Sequence, residues 1–179
     1  MPNIAYLPML LAGVVASVAL MTVVRSRRIP NWLTATGLLL GLTLHLAFGA
    51  LSDGPQGAAT SELNALAGAL LGFAMLIPFY LFRVAGVGHA VGAGDVKLLA
   101  ALGAILGPQV LVTVAIYAAI AGGVQSAVIL AKNNRLGLTT FQMLVMRTAP
   151  SVGAAKAPYA VAIAAGVFLS MALPPLVRF

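Results

Sequence analysis

IAYLPMLLAGVVASVALMTVV, residues 4–24, runs without a single charge and leads straight into RSRRIPNW, residues 25–32. A helix of that length is about 31 Å long at 1.5 Å per residue, which matches the hydrocarbon core of a bilayer. No basic residue precedes the run, and Arg25, Arg27 and Arg28 follow it. That order suits a first membrane helix that starts outside and ends at the cytoplasmic face, rather than a cleavable signal peptide.

The same reading extends along the chain. Of its 179 residues, 61% are hydrophobic and only 7% are charged, against roughly 25% charged in an average chain. Most of the surface therefore faces lipid. Further apolar runs occupy 32–51, 65–85, 95–107, 109–131 and 157–177, so the expected fold is all-α, with about six transmembrane helices in one membrane-embedded domain over 1–179. Pro30 and Asn31 mark the start of the second span. Residues 52–64, SDGPQGAATSELN, read as a polar, turn-rich loop, and 86–94 as a glycine-rich loop. Pro78 can kink the third span. The fourth is short, about 20 Å, and stops at Gly107-Pro108. Residues 132–156 form the longest polar connection, within which 141–146 suit the membrane interface.

The charges test this map. With the loop at Arg25–Arg28 inside, the inner loops hold Arg25, Arg27, Arg28, Arg83, Lys97, Lys132, Arg135, Arg147 and Lys156. Only Arg178, among the basic residues, lies outside, with Asp53 and Glu62. Both termini are then expected outside the cytoplasm. The net charge of +7 is explained by this inner bias, so nucleic acid is not expected as a partner. The arginines set topology and suit anionic headgroups. Gly13, Gly68, Gly72, Gly122 and Gly123 are expected to let helices approach closely.

Groups able to do chemistry are few. Cysteine is absent, which removes disulfides and thiol chemistry. His45 lies within the second span and reads as a packing histidine. His45 and His89 are far apart without acidic neighbours, so no metal or cofactor is expected. Asp53 and Glu62 read as solvated loop charges. Asp95 differs, because a carboxylate at the membrane boundary is costly unless it is used or paired. It follows Gly92-Ala93-Gly94, whose glycines allow tight turns. Two readings stand side by side: a reactive acid, or an aspartate that caps the following helix and is neutralised by Lys97.

Three segments carry a family resemblance. GAGDVKLLAALGAILG, 92–107, resembles the GxGD motif of type IV prepilin peptidases; RSRRIPNWLT, 25–34, resembles the segment ending their first helix; and KAPYAVAIAAG, 156–166, resembles their final-helix segment. The order is the family's order. The short length resembles the minimal TadV/CpaA type, which acts on the small pilins of Flp/Tad systems. The resemblance implies a GxGD intramembrane aspartic endopeptidase of the bacterial inner membrane. Its partner would be a prepilin, cut after the glycine that ends a basic leader. Two carboxylates would activate water, one as base and one, protonated, polarising the scissile carbonyl. Asp95 corresponds to the second of these acids, with Gly92, Gly94, Lys97, Pro30 and Asn31 supporting the loop or the substrate. The first acid stands eight residues before the Asn of the IPN segment, and Val23 occupies that position here. Met21 to Ser26 contains no acid. Three readings remain open: a variant disabled for the reaction, a natural pseudopeptidase that binds pilin or assembly proteins, or a chain in which Asp95 acts alone or with its copy in a homodimer. A non-catalytic assembly partner and a small transporter are the competing functions. The scarcity of buried ionisable groups argues against the transporter.

Overall fold

A computed structural model describes residues 6–26, 28–81, 83–84, 88–89, 91–132 and 159–173. The expected connection after 132, with Arg135, Arg147, Lys156 and 141–146, lies outside the described residues, as does Arg178. Among the described residues the fold is α-helical. It comprises α1 (Leu7–Ser26), α2 (Asn31–Ser52), α3 (Gly54–Leu81), α4 (Ala93–Lys132) and α5 (Tyr159–Ala172). The third span ends at Leu81, short of the expected 85, and β1 (Arg83–Val84) pairs antiparallel with β2 (Gly88–His89) of the glycine-rich loop, Arg83 opposite His89.

Among the described residues, four helices are long and apolar enough to cross a membrane: α1, α2, α3 and the 93–128 stretch of α4; α5 is shorter. Within α1 the hydroxyls of Ser17, Thr22 and Ser26 donate to carbonyls one turn back, at 2.7, 3.0 and 2.7 Å. Polar side chains in an apolar helix are thereby satisfied internally, as a lipid environment demands.

The expected polar loop at 52–64 is not a loop. α2 runs to Ser52, α3 begins at Gly54, and the chain turns back through Gly54 with φ of 65°. A Cβ placed on Gly49 would lie 2.7 Å from Ser61 Oγ, although twelve residues of straight helix would rise about 18 Å. A single left-handed glycine supplies the turn, and Pro55 fits the first turn of α3, where its missing N–H is not needed. Most of the polar residues read as loop thus stand in the first turns of a helix.

α4 breaks at Gly107, where φ is 74° and ψ 170°, with Pro108 next. A Cβ on Gly103 would lie 2.9 Å from Leu111 Cδ2, so the chain bends sharply; in a straight helix those residues are about 12 Å apart in rise. The expected stop at Gly107-Pro108 is therefore present. The 93–106 half is about 21 Å long, shorter than a bilayer core of about 30 Å.

The core is built around α4. Leu98, Leu102, Ile105, Leu111 and Val114 are fully buried, joined by Ile163 and Val167 of α5. Leu10, Val14, Met21, Leu39, Leu46, Leu70, Ile120 and Val124 face outward, the distribution of a protein whose outer solvent is apolar. Close packing fixes the helix directions. Gly37 sits against Ala101, Gly41 against Ala104 and Ile105, and Gly107 near His45, so α2 runs parallel to the first half of α4. Gly68 abuts Gly103 and Gly72 abuts Leu99, so α3 runs antiparallel to it. Gly166 meets Val114 and Ala118 while Gly122 meets Tyr159 and Ala162, so α5 runs antiparallel to the second half. Of the five glycines expected at helix contacts, Gly13, Gly68, Gly72 and Gly122 are, but Gly123 has open space around it. One residue of α-helix turns the side chain by about 100°, which carries it off the face that Gly122 presents to α5.

Candidate functional site

The N-terminus of α4 is assembled around Asp95. Gly92 precedes the first helical residue, Ala93, and its carbonyl accepts from the N–H groups of Asp95 (3.0 Å) and Val96 (3.3 Å). In return the Gly92 N–H donates to Asp95 Oδ2 at 3.3 Å. Asp95 is thus the third helical residue reaching back to the cap position, the reciprocal half of a capping box, rather than the N-cap itself. A Cβ on Gly92 would lie 3.2 Å from Oδ2, so glycine leaves the carboxylate its room.

A second helix end serves the same side chain. The backbone N–H of Ala160, in the first turn of α5, also hydrogen-bonds to the Asp95 carboxylate. Asp95 is only 8% exposed. Two helix N-termini with free N–H groups converge on it, an arrangement that suits a negative charge.

The turn between α1 and α2 closes the site from a third direction. Pro30 offers its carbonyl to the Leu33 N–H at 3.1 Å, starting α2. Ile29 packs on Gly94, where a Cβ would lie 3.1 Å from Ile29 Cβ. Lys97 Nζ donates to Asn31 Oδ1 at 3.0 Å. Lys97 therefore holds Asn31, and the expected neutralisation of Asp95 by Lys97 is replaced by this contact: residues two apart on a helix point to different sides.

Gly92, Gly94, Asp95, Lys97, Pro30 and Asn31 are accordingly gathered at one end of the bundle, together with the first turn of α5. Val23 is 3% exposed and lies in the buried cluster that also contains Val96 and Ala160, the neighbours of the Asp95 contacts. The remaining acids are elsewhere. α2 begins beside Lys97 and ends past Gly107, so the Asp53 position and Glu62, at the α2–α3 turn, belong to the opposite end. Glu62 is not the solvated loop charge expected. It stands in α3 with Oε2 buried and without a hydrogen-bond partner, within electrostatic reach of His45. Its burial follows from the turn at Gly54, which folds α3 back along α2. Among the described residues no three acids or histidines come together as metal ligands would.

Tyr159 and Ala160 were not singled out by their sequence. The available signal was weak: a tyrosine after Pro158 at the start of the last apolar run. A backbone N–H donor leaves no trace in residue type.

Chemically, the arrangement offers one buried carboxylate with fixed donors, able to hold or pass a proton. Among the described residues no second carboxylate stands beside it.

Comparison with known proteins bears on the same residues. Residues 9–127 match the model of the type IV leader peptidase family, a stretch that contains Val23, Asn31 and Asp95. The chain is 35% identical, over 100 residues, to a prepilin leader peptidase/N-methyltransferase of Pectobacterium carotovorum subsp. carotovorum. That similarity covers 55% of this chain and 33% of the relative, so the chain matches about a third of the relative's length. No solved structure matches.

Proposed function

Because the chain belongs to the type IV leader peptidase family, we propose that it is a bacterial inner-membrane protein, built as an aspartic endopeptidase of prepilin leaders, whose cleavage step is impaired by Val23. The substrate is a type IV prepilin of the small Flp/Tad class, as in the minimal TadV/CpaA type. The whole 1–179 chain acts as one domain. Its termini are outside, and its site is at the cytoplasmic face.

The observation that carries this reading is the position of Asp95: buried, held by Gly92 and Ala160, and bounded by the Ile29–Asn31 turn. Hydrolysis at such a site needs water to lose a proton as it attacks the scissile carbonyl, and the carbonyl oxygen to be polarised. One carboxylate takes the proton and a second, protonated, supports the oxygen. Asp95 fills one role. Val23 leaves the other empty, and each role is commonly worth about 10²–10⁴-fold in rate.

A prepilin presented in lipid vesicles tests this directly. We expect Val23→Asp to cleave at least about a hundredfold faster than the chain as it stands, and Val23→Asp combined with Asp95→Asn to lose that gain. Equal cleavage by the chain and by Val23→Asp would overturn the assignment of both positions. A second reading, a pilus-assembly partner that binds prepilin without cutting it, draws support from the apolar packing of Val23. Co-purification of uncut prepilin with the unmodified chain distinguishes it. Pairing of Asp95 with its copy in a homodimer is the third; crosslinking in membranes tests it.

A further inference from the structure

Asn31 is the first residue of α2, Lys97 stands in the first turns of α4, and Nζ of the lysine donates to Oδ1 of the asparagine at 3.0 Å. The two helices run side by side from there, Gly37 on Ala101 and Gly41 on Ala104, so the bond sits at the open end of their interface. Its effect reaches past Asn31. Pro30 fixes its own φ and restricts the residue before it, so the backbone between Asn31 and Ile29 is stiff. The Pro30 carbonyl is committed to the Leu33 N–H. A hold on Asn31 is therefore a hold on Ile29. Ile29 is half-buried and lies on Gly94, next to Asp95; a Cβ on that glycine would come within 3.1 Å of Ile29 Cβ.

We propose that Lys97 is a positioning residue of the Asp95 site: through Asn31 it keeps the Ile29–Asn31 turn seated on Gly94, so that the backbone leading into Asp95 is held and covered on that side. Its bearing on cleavage rests on the functional reading above; the seating of the turn does not. A basic residue at the inner end of a membrane helix also sets topology, and that role needs only the charge. Seating needs a donor at 97 and an acceptor at 31. Asn31 is uncharged, so replacing it separates the two roles.

The chain has no cysteine, so Ile29→Cys places a single thiol on the seated turn. Lys97→Met and Asn31→Leu each remove one partner of the bond. We expect each to speed maleimide modification of that thiol in detergent at least about threefold, the scale of one lost exposed hydrogen bond. Lys97→Arg, which keeps a donor, should hold the original rate. The double variant should react no faster than the faster single one, because both changes remove the same bond. A thiol placed instead by Ala16→Cys, at a buried position in α1, should not respond. A rise below about threefold in either single variant overturns the proposal, as do multiplying effects in the double variant or an equal rise at position 16. In the Val23→Asp background, Lys97→Met and Asn31→Leu should lower kcat alike, about tenfold, with KM within about twofold. A loss confined to Lys97→Met would mean that the lysine meets the substrate instead. If the thiol responds but Val23→Asp does not cleave prepilin, the seating stands and the peptidase reading fails. If Val23→Asp cleaves and neither thiol reactivity nor kcat responds to the two substitutions, the peptidase reading stands and the role of Lys97 fails.

Discussion

Asp95 holds the start of α4, in the function proposed above it is also the reacting acid, and the two roles can be separated by substitution. Asparagine at 95 keeps an oxygen to accept from Gly92 and Ala160, whereas alanine removes it. Asp95→Ala is expected to destabilise the fold by about 1 kcal/mol more than Asp95→Asn, the usual scale of a lost helix cap, read from denaturant-induced unfolding in detergent. Both should abolish cleavage in the Val23→Asp background. Equal stability of the two variants would show that the Gly92 contact contributes nothing. Glu62 makes the opposite case. Its buried Oε2 has no partner, and a polar atom kept from water without a partner is costly. Glu62→Gln should therefore leave thermal stability unchanged or raise it, and a loss of more than about 1 kcal/mol would mean that the carboxylate is paired. Asp95 was legible in the sequence because its glycine setting is local. Glu62 was misread because its burial depends on a turn eight residues away.

At the level of the helices, two glycines make the turns and others make the contacts, and they fail differently. Gly54 has a left-handed φ with nothing within 4 Å of a Cβ, while Gly68 meets the backbone of Gly103 directly. Gly54→Ala should cost about 1 kcal/mol, from backbone strain alone. Gly68→Ala has no flexible side chain to displace, so α3 and α4 must separate and the loss should be several-fold larger. Unfolding of the two variants in matched detergent checks the order; a Gly54→Ala cost equal to or above that of Gly68→Ala contradicts it. The apolar runs marked the five described helices and the Gly107 break, since Gly-Pro and run length are local signals. They did not separate a loop from a helix at 52–64, because D-G-P announces a turn but not how few residues the turn needs.

For the molecule as a whole, the parallel packing of α2 on the first half of α4, with α3 antiparallel, is what alternate crossings require. The proposed orientation rests on the inner bias of the basic residues. The absence of cysteine makes it measurable: Gln56→Cys should react with an impermeant maleimide in intact spheroplasts, and Arg28→Cys only after lysis. The reverse pattern would invert the proposed topology and put Asp95 outside.

The sequence by itself determined that this protein is helical, apolar on its outside, and broken near residues 54 and 107. In lipid, backbone groups must bond within their own segment, so an uncharged run and its interruptions suffice to mark helices. It also placed Asp95 at a helix start. Only the tertiary structure decided what surrounds Asp95. The Ala160 N–H comes from 65 positions away, and the Lys97–Asn31 bond joins residues 66 apart. Such partners are chosen by which faces of the helices meet, and in a bilayer those faces are selected by close packing rather than by hydrophobicity, which is alike on every side.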